Sequence, residues 1–202
     1  MTSFVKYFQP YSYMKWLRDR KIFFLISIKT PIVLTCISLG EKVKFSITSR
    51  KEYTMRYLQS YNCEKSTMQW IESSVKRDDV VWDIGANVGL YACYAAKARG
   101  CEVFAFEPSV FNLELLARNV FLNNLTDKVA IVPLPLCEDL CRSTLNMTSV
   151  DWGGALSTFG KDYGWDGEKI QKVFEFQTLG INMDAANKIL NIPLPSYIKI
   201  DV

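Results

Sequence analysis

At 202 residues, 49% hydrophobic and 22% charged, the chain can bury one sizeable core and a small appendage. It contains no histidine, which excludes Ser-His-Asp and Cys-His nucleophile mechanisms and any Cys/His zinc site, so proton transfer falls to Asp, Glu, Lys, Tyr or Cys. The net charge of +3 is unevenly carried, with ten Lys and Arg against three Asp and Glu in residues 1–52 and an acidic balance after them.

The basic segment "FVKYFQPYSYMKWLRDRKIFFLISI" mixes aromatics with Lys15, Arg18, Arg20 and Lys21. That chemistry suits a membrane surface, a nucleic acid or a partner, but no Lys/Arg run is long enough for a binding tail, and a solvated lead-in is expected. Residues 22–39 are apolar, yet Lys29 and Pro31 near the middle argue against a transmembrane helix, and no signal-peptide cleavage pattern follows. "PIVLTCISLGEKVKFSITS" predicts a β-hairpin turning at Gly40, with Val43, Phe45 and Ile47 alternating with Lys44 and Ser46. Residues 1–60 are thus expected to form an N-terminal extension, and residues 61–202 the main domain.

From Glu64 a helical period places Met68, Ile71 and Val75 on one face, ended by "KRDD". A strand "VVWDI" follows, then a helix "LYACYAAKAR" stopped by Gly100, and a strand "EVFAFE". Ser109 is placed to cap the next helix, whose stripe Leu113, Leu116, Ala117, Val120 and Phe121 ends at Asn123-Asn124, before a third strand "KVAIVP". This order predicts a Rossmann-like, doubly wound, mostly parallel α/β sheet. Residues 134–196 are less regular, with a strand "VFEFQT" and a helix near Met183 to Leu190, and "SYIKIDV" reads as a further strand. In a parallel sheet the strand-end acids Asp83, Glu107 and Asp201 share one edge, where ligands bind. The aromatics Trp82, Tyr91, Tyr94, Phe104 and Phe106 recur at structural periods and predict core packing.

The turn "DIGANVGLYA" carries the strongest chemical signal. Gly85 and Gly89 let backbone approach a ligand, and Asn87 fits either a left-handed turn or a ligand contact. A dinucleotide GxGxxG would need glycines where Asp83 and Val88 stand, and Asp83 opposes a diphosphate while suiting an ammonium or ordering the loop amides. Glu107, eighteen residues past Gly89, is placed to accept both hydroxyls of a ribose. The ligand implied is a nucleoside with a free 2′-hydroxyl and a cationic tail, a description that S-adenosylmethionine meets.

The stretches "DDVVWDIGANVGLYACYAAK", "VFAFEPSVFNLELLARNVFLNN", "PLPLCEDL", "GGALSTFG", "QTL" and "YIKIDV" resemble, in that order, the FkbM-type S-adenosylmethionine-dependent methyltransferases over about residues 64–202. The resemblance implies a Rossmann-like methyltransferase fold and methyl transfer to a hydroxyl of a sugar or natural product; a cytoplasmic location is expected from the cysteine usage, and no nucleic-acid partner is expected. It further implies cofactor contacts at the Glu107-Pro108 pair, Glu138 beside the adenine amine, and Asp201 flanking the methyl donor as the deprotonating or orienting acid. The family shows an acid soon after a Thr-Leu where this chain has Gly180 and, four residues on, Asp184. It also continues past "KIDV", so the chain is expected to be C-terminally truncated and inactive as it stands. The rival expectations are a nicotinamide-dependent oxidoreductase on a related sheet and a non-catalytic nucleoside-binding module. Cys36, Cys63, Cys93, Cys101, Cys137 and Cys141 form no CxxC pair and are expected to be reduced thiols, with Cys137 and Cys141 able to share a helix face and no metal demanded.

Overall fold

A computed structural model describes residues 32–38, 41–47 and 65–202. The basic aromatic segment, the Gly40 turn, Cys63 and the helix start at Glu64 lie outside the described residues. Strands β1 (Ile32–Ser38) and β2 (Glu41–Ile47) pair antiparallel, in register from Ile32 with Ile47 to Ser38 with Glu41. Among the described residues, no helix is long and apolar enough to cross a membrane.

Helix α1 (Lys65–Ser74) buries Met68 and Ile71, and Val75 just beyond it, as the 3.6-residue period requires. Then follow β3 (Val80–Ile84), α2 (Leu90–Arg99), β4 (Glu102–Phe106), α3 (Val110–Leu122) and β5 (Val129–Val132). Gly100 caps α2 in the left-handed conformation and donates its N–H to the Ala96 carbonyl. After β6 (Cys141–Met147), β7 (Thr158–Phe159), β8 (Phe174–Gly180) and α4 (Met183–Lys188) comes the last strand, β9 (Tyr197–Ile200).

Two sheets organise these residues. The order β5-β4-β3-β9 is parallel throughout, and β7-β6-β8 is antiparallel. One face of the parallel sheet, with Val81, Val103 and Ala105, shares a core with α1, α2, α3 and residues Val43 and Phe45 of β2. The other face, with Trp82, Ile84, Phe104 and Phe106, packs against Ile181, Ala186 of α4 and Ile192. Helices on both faces of a parallel sheet make this a Rossmann-like, doubly wound α/β fold, and they cover short strands that are apolar on both sides. The five aromatics expected in the core are all buried there.

Four local expectations are corrected. On α3 the inward face is Asn112, Leu115, Leu116, Asn119 and Val120, whereas Phe121 is 72% exposed and Ala117 is also exposed. Polar groups take those inward positions because their amides bind backbone that the helix packs against: Asn119 accepts from the Ser46 N–H at 2.7 Å and donates to the Val88 carbonyl at 2.8 Å. Ser46 is therefore buried rather than outward-facing. Ser109 stands at the N-cap of α3 without a capping bond from its side chain, because its own N–H is drawn to Glu107 at 2.8 Å. Cys137 and Cys141 share no helix face: Cys141 opens β6, and Cys137 sits in the preceding loop.

Candidate functional site

Parallel pairing of β3, β4 and β9 brings Asp83, Glu107 and Asp201 to the same sheet edge, as the strand order requires. The turn from β3 into α2 is built from residues with positive φ: 74° at Gly85, 51° at Asn87 and 84° at Gly89. The Gly85 and Ala86 N–H groups both donate to the Phe106 carbonyl, at 3.0 and 2.9 Å, which ties the turn to the end of β4.

Sequence reasoning gives both glycines to ligand approach, and the structure adds demands from the chain itself. A Cβ on Gly85 would collide with the Asp201 carbonyl oxygen and lie 2.8 Å from Val202 Cγ1, and one on Gly89 would collide with Leu116 Cδ1. Gly85 also lines the cavity described below, whereas Gly89 is walled in by α3.

Glu107, 5% exposed, organises the neighbouring turn. Its Oε2 accepts from the Asn87 N–H at 2.7 Å, while Oε1 accepts from the Ser109 N–H at 2.8 Å and the Asn112 amide at 3.4 Å. Burial pushes the carboxyl above its usual value, and these hydrogen bonds pull it back. A carboxylate offers about four acceptor positions, so three bonds leave one on Oε2. Beside it, Asn87 Oδ1 and the Ser109 hydroxyl are buried without a partner among the described residues. The same network holds a second loop: Asn112 donates to the Gly154 carbonyl at 3.0 Å and accepts from the Gly153 N–H at 2.9 Å, and Asn87 donates to the Gly154 carbonyl at 3.1 Å. The Gly153-Gly154 pair is thus docked against the Glu107 turn by two buried asparagines.

Asp83 is buried at the end of β3, and the ammonium it holds belongs to the protein. Lys199, its register partner on β9, places Nζ 3.2 Å from Asp83 Oδ1 and 3.4 Å from Asp201 Oδ2, and lies 4.6 Å above the centre of the Tyr91 ring. Burial raises the Asp83 carboxyl, and the Lys199 ammonium and the Ala92 amide in the first turn of α2 oppose that rise. The carboxylate's charge is therefore balanced inside the chain, and charge at Asp83 alone does not exclude a diphosphate. Ala86, Val88, Leu90, Tyr91 and Ala92, in the turn and at the N-terminus of α2, are buried by the chain itself.

Between the carboxyl edge of the parallel sheet and the antiparallel sheet lies a cavity of about 690 Å³. Its floor is Ile84, Gly85, Phe106 and Pro108, one wall is residues 134–139 including Glu138, and the roof includes Ser143, Thr158 and Tyr163. Of the residues expected at the site, Gly85, Pro108 and Glu138 line this space. Asp83, Asn87, Gly89 and Glu107 form the layer behind it. Asp201 is not among the lining residues: its neighbour Val202 lines the space, while its own side chain is 61% exposed and its backbone oxygen lies against Gly85.

Sequence reasoning missed Lys199, Asn112 and Asn119. The signals were present: Lys199 falls in step with Tyr197 and Asp201, alternating with Ile198 and Ile200, and Asn112, Asn119 and Asn123 recur on one face of α3. Neither pattern names its partners, which come from distant segments.

Among known proteins, the sequence pattern of the methyltransferase FkbM domain matches residues 83–202. The hexuronic acid methyltransferase AglP of Haloferax volcanii is 24% identical over 178 residues, 87% of this chain and 65% of that protein, so the chain spans a little less than two thirds of that curated relative. Similar solved structures include Pyrococcus horikoshii TYW2 in complex with MeSAdo, at 18% identity over 52% of this chain and 37% of that one with a TM-score of 0.40. M. jannaschii TYW2 in complex with AdoMet is 19% identical over 51% of this chain and 43% of that one, with a TM-score of 0.38. With the FkbM pattern covering more than half of its length, the chain belongs to the FkbM methyltransferase family.

Proposed function

We propose that the chain binds S-adenosylmethionine in the 690 Å³ cavity and transfers its methyl group to a hydroxyl of a sugar or natural product. The observation that carries this reading is the cluster of acceptors behind the Pro108 floor. Glu107 Oε2, Asn87 Oδ1 and the Ser109 hydroxyl are buried together at the carboxyl edge and are not fully used by the protein. Buried polar atoms are rarely left unpaired, and a ribose diol supplies the donors this cluster lacks. For the hydroxyls to reach Glu107, the Gly153-Gly154 loop must shift from its place on Asn87 and Asn112.

Pro108 and residues 134–137 offer an apolar slot for the adenine, with Glu138 at its wall to accept from the adenine amine. When bound, S-adenosylmethionine supplies a sulfonium methyl group open to in-line attack. The residues around it contribute position and field more than strong basicity. Asp201, exposed beside Gly85 and next to the cavity-lining Val202, is the group we assign to orient or deprotonate the acceptor hydroxyl. The acceptor enters from the side of the antiparallel sheet, where Ser143, Thr158, Lys161 and Tyr163 present polar groups to the cavity. AglP is named for a hexuronic acid, which makes acidic sugars the first acceptors to try.

Calorimetry with S-adenosylhomocysteine and with NAD separates this reading from a dinucleotide enzyme, with binding of the first alone expected. A labelled-methyl assay against hydroxylated acceptors, uronic acids included, then tests transfer, and mass spectrometry locates the methylated oxygen. Binding of NAD in preference to S-adenosylhomocysteine defeats the reading.

A further inference from the structure

The charged groups at the end of β3 and β9 do something the acceptor cluster does not explain. Lys199 is 11% exposed and Asp83 2%, so their contact at 3.2 Å is screened little by water. The same ammonium lies 3.4 Å from Asp201, whose side chain reaches solvent. On one side of this bridge is the start of the Gly85 to Gly89 turn, and on the other the acid assigned to the acceptor. Among the described residues around Asp83, Tyr91 and Cys93 come from α2, Lys199 and Asp201 from the β9 segment, and Glu107 from beyond β4. Among these groups Lys199 is the single cation.

We propose that Lys199 is a positioning residue for methyl transfer. Its ammonium joins Asp83 to Asp201, holding the cofactor turn and the acceptor-side acid in one fixed arrangement. The inference rests on the proposed reading of the site, since it assigns Lys199 a task within that reading.

The physical reason is that, among the described residues, Lys199 is the cation paired with both carboxylates. An ionised Asp83 without Lys199 is a buried charge opposed by desolvation, and such a group takes up a proton instead of remaining charged. A neutral Asp83 attracts the Ala92 amide at the first turn of α2 more weakly than the carboxylate does. The turn from residue 85 to residue 89 then loses the charge that fixes its far end. Asp201 loses its tether at the same time and is left free in solvent.

The test compares wild type, Lys199→Met, Lys199→Arg and the double variant Lys199→Met with Asp83→Asn. Urea unfolding between pH 6 and 9 reads the charge state, and calorimetry with S-adenosylhomocysteine reads the turn. A carboxyl with a raised folded pKa holds a proton that the unfolded chain releases, so stability falls as pH rises through that window. In Lys199→Met the pull that lowers Asp83 is gone and its window moves further up, so its stability is expected to fall with pH more than that of wild type. Lys199→Arg is expected to follow wild type, and the double variant to lose the extra slope. Affinity for S-adenosylhomocysteine is expected to drop about tenfold or more in Lys199→Met, equal to a pKa unit of interaction, and to recover most of that in Lys199→Arg. A Lys199→Met variant with the wild-type pH slope, or with unchanged affinity, overturns the inference. If wild type binds no S-adenosylhomocysteine, the cofactor reading fails, and the pH slopes still decide whether Lys199 holds Asp83 charged.

Discussion

Replacing Glu107 by alanine tests whether this residue is a ligand contact alone or the organiser of its own surroundings. Two backbone N–H groups, of Asn87 at 2.7 Å and Ser109 at 2.8 Å, lose their acceptor in a place that water does not reach. An unsatisfied buried donor costs about 1–3 kcal/mol, so the pair predicts a loss of about 2–6 kcal/mol, against a usual domain stability of about 5–15 kcal/mol. Part of that loss is offset because a carboxylate held above its ordinary pKa by burial is removed. The assay is urea unfolding of wild type and Glu107→Ala, run beside calorimetry with S-adenosylhomocysteine, whose affinity should fall about tenfold or more. A Glu107→Gln variant separates charge from shape. Because the folded pKa of Glu107 is raised, the native state holds a proton that the unfolded chain gives up, and stability declines as pH rises from the ordinary glutamate value through the raised one. Asp83 contributes a decline of the same sign, so the difference between wild type and Glu107→Gln isolates the share due to Glu107. If Glu107→Ala unfolds within about 0.5 kcal/mol of wild type, below the cost of a single orphaned donor, the account of this turn is wrong.

Gly85→Ala is expected to destabilise the domain by about 2 kcal/mol or more, because alanine resists a φ of 74° and its Cβ meets the Asp201 carbonyl. Unchanged thermal stability would show that the end of β9 yields freely. Burial pushes the Cys93 thiol up to about 12, so an electrophile at pH 8 should label the exposed Cys141 and spare Cys93 in the native protein, as read by peptide mass mapping. Rapid native-state labelling of Cys93 would mean that α2 opens far more readily than its packing implies.

The sequence alone determined the order of elements, because burial imposes periods that local composition records. Short apolar strands flanked by helical stripes, a glycine stop after Arg99 and acids at three strand ends sufficed to place β3, β4, β5 and β9 in one parallel sheet with a ligand edge. The Asp83, Gly85, Asn87, Gly89 turn and Glu107 were legible for the same reason, since positive φ and strand-end carboxylates leave residue-type signatures. Tertiary structure decided what these residues touch. Asp83 meets Lys199 across 116 residues of chain, a pairing that no local pattern encodes and that the β3–β9 register creates. The asparagines of α3 read as defects in an apolar stripe until the fold supplies the Val88, Gly153 and Ser46 backbone that they bind. Of the antiparallel sheet β7-β6-β8, which roofs the cavity, the "VFEFQT" strand β8 was legible, but β6, β7 and the pairing of all three escaped sequence reading because these strands are half exposed and rich in polar residues.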